Sequence, residues 1–244
     1  MNKESNNVFD VLSIVSEVSR YPYVEYFMGC LYDYHRPTFF HSLHVALISV
    51  QIGLVYGLSP NRLRYLAAGA LLHDIGKMLI PLRILNKNEM LTDEEYGIMK
   101  KHPLYSYDMI HSIKEYISPI IELTALMHHQ HVDFSGYPAP GEAPPGIDFT
   151  RLPTEARIVC VADVYHAIIS PRAYKESLTG LYAIGELYRA VDRHHMDVRF
   201  VKILCDLVSE NKLALCMDCS SLFHNGVPAG HDDKDEEDFT EKTV

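Results

Sequence analysis

The sequence predicts an all-α fold, a helical bundle interrupted by one long proline- and glycine-rich loop. Three observations lead to it. Apolar residues recur at helical spacing in segment after segment: Leu63, Leu66, Ala67, Ala70 and Leu71 fall at i, i+3, i+4, i+7 and i+8 and form one stripe. Serine, threonine and proline stand where helices should begin, with glycine or X-Pro steps where they should end. No segment reads convincingly as a strand, and there is no internal repeat.

Taken in order, Val8, Val11, Leu12, Val15 and Val18 make a short amphipathic helix that Tyr21-Pro22 breaks. Tyr23 to Tyr34 is a second, aromatic-rich helix. After Arg36-Pro37 a long helix runs from about Thr38 to Tyr56 and stops at Gly57, and Ser59-Pro60 starts the next with a serine N-cap and proline in the first turn. That helix closes at His73-Asp74, where Gly76 is expected to let the backbone turn. Residues 80–90 read as loop with a short helical piece. Thr92-Asp93-Glu94-Glu95 is a capping box opening a helix to about Lys101. Further helices run from His102-Pro103 to His111 and from Ile117 to His129. Gln130 to Leu152 holds four prolines and little periodicity, a loop long enough to suggest function. Helices resume over Pro153 to Ile169, which contains Asp163, then over Leu178 to Val191 and Val198 to Leu207. The expected organisation is a helical lead over 1–36, a single domain over 37–210, and an acidic, disordered tail over 211–244.

Composition narrows the class. The chain has 244 residues, 48% of them hydrophobic, enough for a substantial core. A net charge of -10 argues against sequence-independent binding to DNA or RNA, although seven acidic residues between His231 and Glu241 supply much of it. The first residues lack the apolar core of a secretory signal, and the longest apolar run, Val45 to Leu58, is short and interrupted by Gln51. The expectation is a cytoplasmic protein with no membrane span. Five cysteines fit reduced thiols, and Cys216-Met217-Asp218-Cys219 reads as plain thiols rather than half a zinc site with His224 and His231.

The chemistry lies in the polar residues at helix ends. Of 14 histidines, His41, His73, His102, His128 and His129 recur where helices begin or end, and Asp74 and Asp163 bring the possible ligands to seven. One such histidine is ordinarily a hydrogen-bonded core residue. Seven such groups would fill a bundle with polar side chains for no gain unless they share a ligand. Mixed imidazole and carboxylate donors suit Fe, Mn, Zn, Ni or Co better than Mg or Ca. Seven donors exceed one ion, so two divalent transition-metal ions are expected, with Asp74 as the bridge. A pair of ions about 3.5–4 Å apart is the usual clamp for phosphoester hydrolysis.

The series His41, His73-Asp74-Ile75-Gly76-Lys77, His102-Pro103, His128-His129-Gln130, Asp133-Phe134-Ser135-Gly136-Tyr137-Pro138 and Ala162-Asp163-Val164-Tyr165 resembles the HD-GYP family of HD-domain phosphohydrolases from about His41 to Leu204. The resemblance implies a cyclic di-GMP phosphodiesterase that yields pGpG or GMP. It implies His41, His73, Asp74 and Asp163 around one metal (Fe or Mn first, then Zn, Ni or Co), and Asp74 bridging to a second held by His102, His128 and His129. Lys77 would contact phosphate and take part in catalysis with Asp74, Arg172 and Lys175 would face the substrate, and Tyr137 would border the pocket. Pro37 stands where trinuclear members carry a glutamate, which argues against a third metal. Gln130 replaces the usual glutamate, Phe134 a common glycine, His166 a frequent aspartate and Ala173 a frequent proline. A regulatory module that binds a nucleotide or a partner such as a diguanylate cyclase, a hydrolase for another nucleotide, and a homodimer through the first helix remain open.

Overall fold

The computed structural model describes residues 3–170 and 180–213, and the expectations for Arg172, Ala173, Lys175, the cysteine pair and the acidic tail fall outside them. Among the described residues the chain forms eleven α-helices and no strand. They are α1 (Lys3–Ser19), α2 (Pro22–Tyr34), α3 (Arg36–Tyr56), α4 (Pro60–Leu72), α5 (Leu82–Leu85), α6 (Asp93–Met99), α7 (His102–His111), α8 (Pro119–Met127), α9 (Thr154–Ile169), α10 (Gly180–Asp192) and α11 (Val198–Ser209).

Helix α3 is apolar nearly all round, and such a helix has to sit in the middle. It packs against α1, α2, α4, α9 and α11, with Leu43, Leu47, Ile48 and Ile52 fully buried. The expectation that no segment is long enough to span a bilayer does not hold for α3. By length and composition alone its 21 residues would suffice, yet 72% of that apolar stretch is buried within the bundle. The lead helices share the same core: Val11, Val15 and Val18 of α1 and Val24, Met28 and Leu31 of α2 have no exposed surface and join the cluster that α3 and α4 build. Burying each such side chain stabilises the fold by about 1.5–3 kcal/mol.

Local signals set most helix ends. Thr92 and Glu95 form the capping box, with Glu95 N–H donating to Thr92 Oγ1 at 3.3 Å and Thr92 N–H to Glu95 Oε2 at 2.8 Å. Ser59 occupies the N-cap of α4 but its hydroxyl makes no capping bond, so Pro60 alone marks that start. Helices α6 and α8 stop two residues before their expected ends, which leaves His128 and His129 just past α8. Helix α4 packs on α8, α7 on α8 and on the 3₁₀ turn Ile75–Leu79, and α3 on α9. The packing brings the C-terminal ends of α4 and α8, the start of α7, the first turns of α3 and the middle of α9 to one place.

Asp197 fastens α11 to α9. Its Oδ1 accepts from Arg199 N–H at 3.1 Å as the N-cap, and its Oδ2 accepts from Arg157 Nη1 and Arg199 Nη2, both at 2.7 Å. Burial alone would raise its carboxyl, but the bonds and charges of the two arginines outweigh it and hold the group below its ordinary value. A depressed carboxyl stabilises the fold above its unfolded-state pKa of about 3.9 and loses that contribution as pH falls through the lower folded value. Asp197→Ala should therefore cost roughly 1–2 kcal/mol at pH 7, and chemical denaturation repeated near pH 3 should show the difference from the unmodified chain shrinking.

Candidate metal centre

Three of the histidines are set by the same local device. The ring Nδ1 of His73 lies 2.7 Å from the carbonyl of Ala70, that of His102 2.7 Å from Met99 and that of His128 2.7 Å from Ala125, each three residues back. A carbonyl can only accept, so each Nδ1 carries the hydrogen and each Nε2 keeps its lone pair. Those three nitrogens all face Asp74.

Asp74 is 1% exposed and turns its two oxygens to different neighbours. Oδ2 lies 3.3 Å from His73 Nε2 and 3.8 Å from His41 Nε2, while Oδ1 lies 3.2 Å from His102 Nε2 and 3.9 Å from His128 Nε2. Lys77 Nζ donates to Oδ2 at 2.6 Å. Asp163 reaches across from α9, its Oδ1 2.8 Å from His41 Nε2 and its Oδ2 3.8 Å from His129 Nδ1. Two groups result, His41 with His73 and Asp74, and His102 with His128 and His129, each with ligand atoms within 4.8 Å of one another.

Buried polar atoms are nearly always paired. Among the described residues His73 Nε2 and Asp74 Oδ1 are fully buried and have no hydrogen-bond partner, as expected of atoms whose partner is a cation. Protonation also suits ligation, which requires charged carboxylates and neutral imidazoles. Burial would raise Asp74, but the neighbouring His73 and Lys77 prevail and hold it well below the usual carboxylate range. Asp163 is likewise held down, chiefly by His41 against its burial. Burial pushes His102 and His128 down and takes His129 to about 3. His73 is the exception: Asp74 holds it up against its burial. The donor set fits divalent metal.

Gly76 serves a different purpose from the one expected. Its φ is not positive, so no turn requires it. A Cβ there would sit 2.5 Å from the amide nitrogen of Ser106 and closer still to the carbonyl oxygen of His102, so glycine is what lets α7 approach. Ser106, which nothing in the sequence marked, seals that approach. Its Oγ accepts from Gly76 N–H at 2.8 Å and donates to the His73 carbonyl at 2.7 Å.

The loop after α8 is tied down by Gln130, 1% exposed, whose Nε2 donates to the Pro138 carbonyl at 2.8 Å while Oε1 accepts from Gly136 N–H at 3.0 Å and His131 N–H at 3.2 Å. An ionised glutamate could accept the last two bonds but not make the first. Tyr137 stacks on His129 with ring centroids 4.6 Å apart, and burial raises its hydroxyl. Phe134 has φ +62°, in the left-handed region that costs a side chain roughly 1–2 kcal/mol. Phe134→Gly should therefore be more stable than Phe134→Ala by about 1 kcal/mol, a reversal of the ordinary order that a pair of thermal melts would reveal.

An HD domain model matches residues 31–200. The chain belongs to the HD-domain family. Its motif words put this HD domain in the HD-GYP branch. It is 40% identical over 146 residues to the cyclic di-GMP phosphodiesterase response regulator RpfG of Xanthomonas campestris, covering 59% of this chain and 36% of that one. It is 32% identical over 171 residues to the 3'3'-cGAMP-specific phosphodiesterase 2 of Vibrio cholerae, covering 70% and 31%. The chain thus spans about a third of the length of these curated relatives. The HD domain of the L. monocytogenes phosphodiesterase PgpH shares the fold at a TM-score of 0.58 and 16% identity, over 79% of this chain and 97% of that one.

Proposed function

We propose that this HD domain is a metal-dependent phosphodiesterase acting on a cyclic dinucleotide, cyclic di-GMP first, and releasing pGpG or GMP. The observation that carries this reading is Asp74, buried, with Oδ2 toward His41 and His73 and Oδ1 toward His102 and His128. Two ions, iron or manganese before zinc, nickel or cobalt, would activate water and offset charge on the phosphoryl oxygens.

The chain's own residues do the rest. His41, His73, Asp74 and Asp163 would hold one ion, and His102, His128 and His129 the other, with Asp74 shared between them. Lys77, partly exposed and already beside Asp74, is positioned to neutralise a non-bridging phosphate oxygen. The Tyr137 hydroxyl stays protonated at neutral pH and is available as a donor on the pocket rim. Arg172 and Lys175 would add positive charge facing the substrate. Residues 37–210 would carry the chemistry, with 1–36 packed as cover and 211–244 appended. The same reading entails a cytoplasmic protein, with a diguanylate cyclase or a second copy of the chain as candidate partners.

The relatives' printed activities, one on cyclic di-GMP and one specific for 3'3'-cGAMP, support the substrate class. The test is incubation with Mn(II) or Fe(II) and each cyclic dinucleotide, with products separated by chromatography. Formation of pGpG or GMP from cyclic di-GMP supports the reading. Binding without product would favour a regulatory module, and turnover of another nucleotide alone would reassign the substrate.

A further inference from the structure

His166 lies one turn beyond Asp163 on α9, is 9% exposed and is not one of the seven candidate ligands. Its Nδ1 stands 2.8 Å from Nδ1 of His41, while Nε2 of His41 faces Asp163 Oδ1, also at 2.8 Å. On its other side, His166 Nε2 is 3.1 Å from Ser170 Oγ, and the ring lies against His44 with centroids 4.8 Å apart and planes 13° from parallel.

We infer that His166 is the positioning residue for His41, accepting its Nδ1–H so that Nε2 is aimed at the ion shared with Asp74 and Asp163. The inference rests on the metal reading above. Two imidazole nitrogens at this distance are joined by one hydrogen, donated by one ring and accepted by the other. When Nε2 of His41 is a ligand, the ring's hydrogen sits on Nδ1 and must be donated. The acceptor is then His166 Nδ1, whose own hydrogen goes to Nε2, within reach of Ser170 Oγ. No net proton is gained or lost. The stack with His44 fixes the tilt of the His166 ring, and the bond transmits that tilt to His41.

His41 needs this support because it lacks the one its neighbours use. His73, His102 and His128 each donate Nδ1–H to a carbonyl three residues back in their own segments. His41 lies within the first turns of α3, and its partner comes from 125 residues away. Such partners orient metal-ligating histidines and typically account for 10–100-fold in affinity. An imidazole acceptor is neutral, so this support adds no negative charge to the centre, unlike a carboxylate in the same place.

The test titrates the full chain, stripped with a chelator, with Mn(II) alone. His166→Ala should bind Mn(II) roughly 10–100-fold more weakly, and His166→Asn, which keeps an acceptor of similar reach, should regain most of that loss. Equal affinity of the alanine variant and the unmodified chain would overturn the proposal, as would an asparagine variant no better than alanine. If the alanine variant does not fold, nitrogen NMR of the unmodified chain with Zn(II) decides. A coupling between the two Nδ1 atoms through their shared hydrogen is expected, and its absence refutes the bond. Failure of the unmodified chain to bind Mn(II) overturns the metal reading and this proposal with it, whereas an unaffected alanine variant overturns this proposal alone.

Discussion

Under the proposed function, replacing Asp74 with asparagine is expected to abolish cyclic di-GMP turnover, lowering it by at least about 10³-fold, and to leave the purified protein with less than half the metal of the unmodified chain. The side chain keeps its shape and loses its charge, so packing is preserved while the carboxylate that faces His41 and His73 on one side and His102 and His128 on the other disappears. Its Oδ2 faces the His41 side at 3.3–3.8 Å and its Oδ1 the His102 side at 3.2–3.9 Å, so one substitution would reach both of the proposed ions. A pair of ions supplies several kcal/mol of charge stabilisation, and each 1.36 kcal/mol is tenfold in rate. Lys77 loses its partner but is partly exposed, so its ammonium can rehydrate, and the metal-free variant should melt within a few degrees of the unmodified chain. His129→Ala is the useful comparison, because His129 lies at the edge of the second group and its loss leaves the first intact. Metal analysis should then show one ion largely retained. Turnover by the Asp74→Asn variant near that of the unmodified chain would refute the shared-carboxylate arrangement.

The parts of this molecule that short-range physics determines were legible in the sequence. The stripe from Leu63 to Leu71 could bury only as a helix, the Thr92 capping box forms as written, and the glycine after α3 ends it in the left-handed conformation. The convergence of His41, Asp74, His102 and Asp163 was legible because polar residues at so many helix ends, and Asp163 on the inward face of α9, have no other economical use in a bundle. What sequence spacing could not supply are contacts between distant segments. Nothing near Ser106 shows that its hydroxyl will bridge Gly76 and His73, 30 and 33 residues away. Nothing near Phe134 shows that it will adopt positive φ in a loop that Gln130 fastens at Gly136 and Pro138. His166 could be recognised as a departure from the family pattern, but its role depends on the approach of α9 to α3.

Gly76→Ala is expected to lower the melting temperature by roughly 6–12 °C, from a loss of about 3 kcal/mol at 2–4 °C per kcal/mol for a chain of this size. Overpacking a core usually costs 1–3 kcal/mol, and this case belongs at the upper end because of what the new methyl would meet. The obstacles are the carbonyl of His102 and the amide nitrogen of Ser106, the latter 2.5 Å from the added carbon, and neither is the free end of a side chain that can swing aside. Relief requires α7 to retreat from the 3₁₀ turn as a body. That movement would break the Ser106 bridge and draw His102 away from Asp74, so metal binding at the second group should weaken along with stability. Gly29 and Gly97 provide controls of opposite sign. Each lies in a helix with nothing within 4 Å of an added methyl, so alanine there should stabilise by about 0.5–1 kcal/mol. The same chemical change would then raise the melting temperature at two positions and depress it at the third. A Gly76→Ala variant that melted like the Gly97→Ala variant would show that the contact between α7 and the turn after α4 is looser than these distances require.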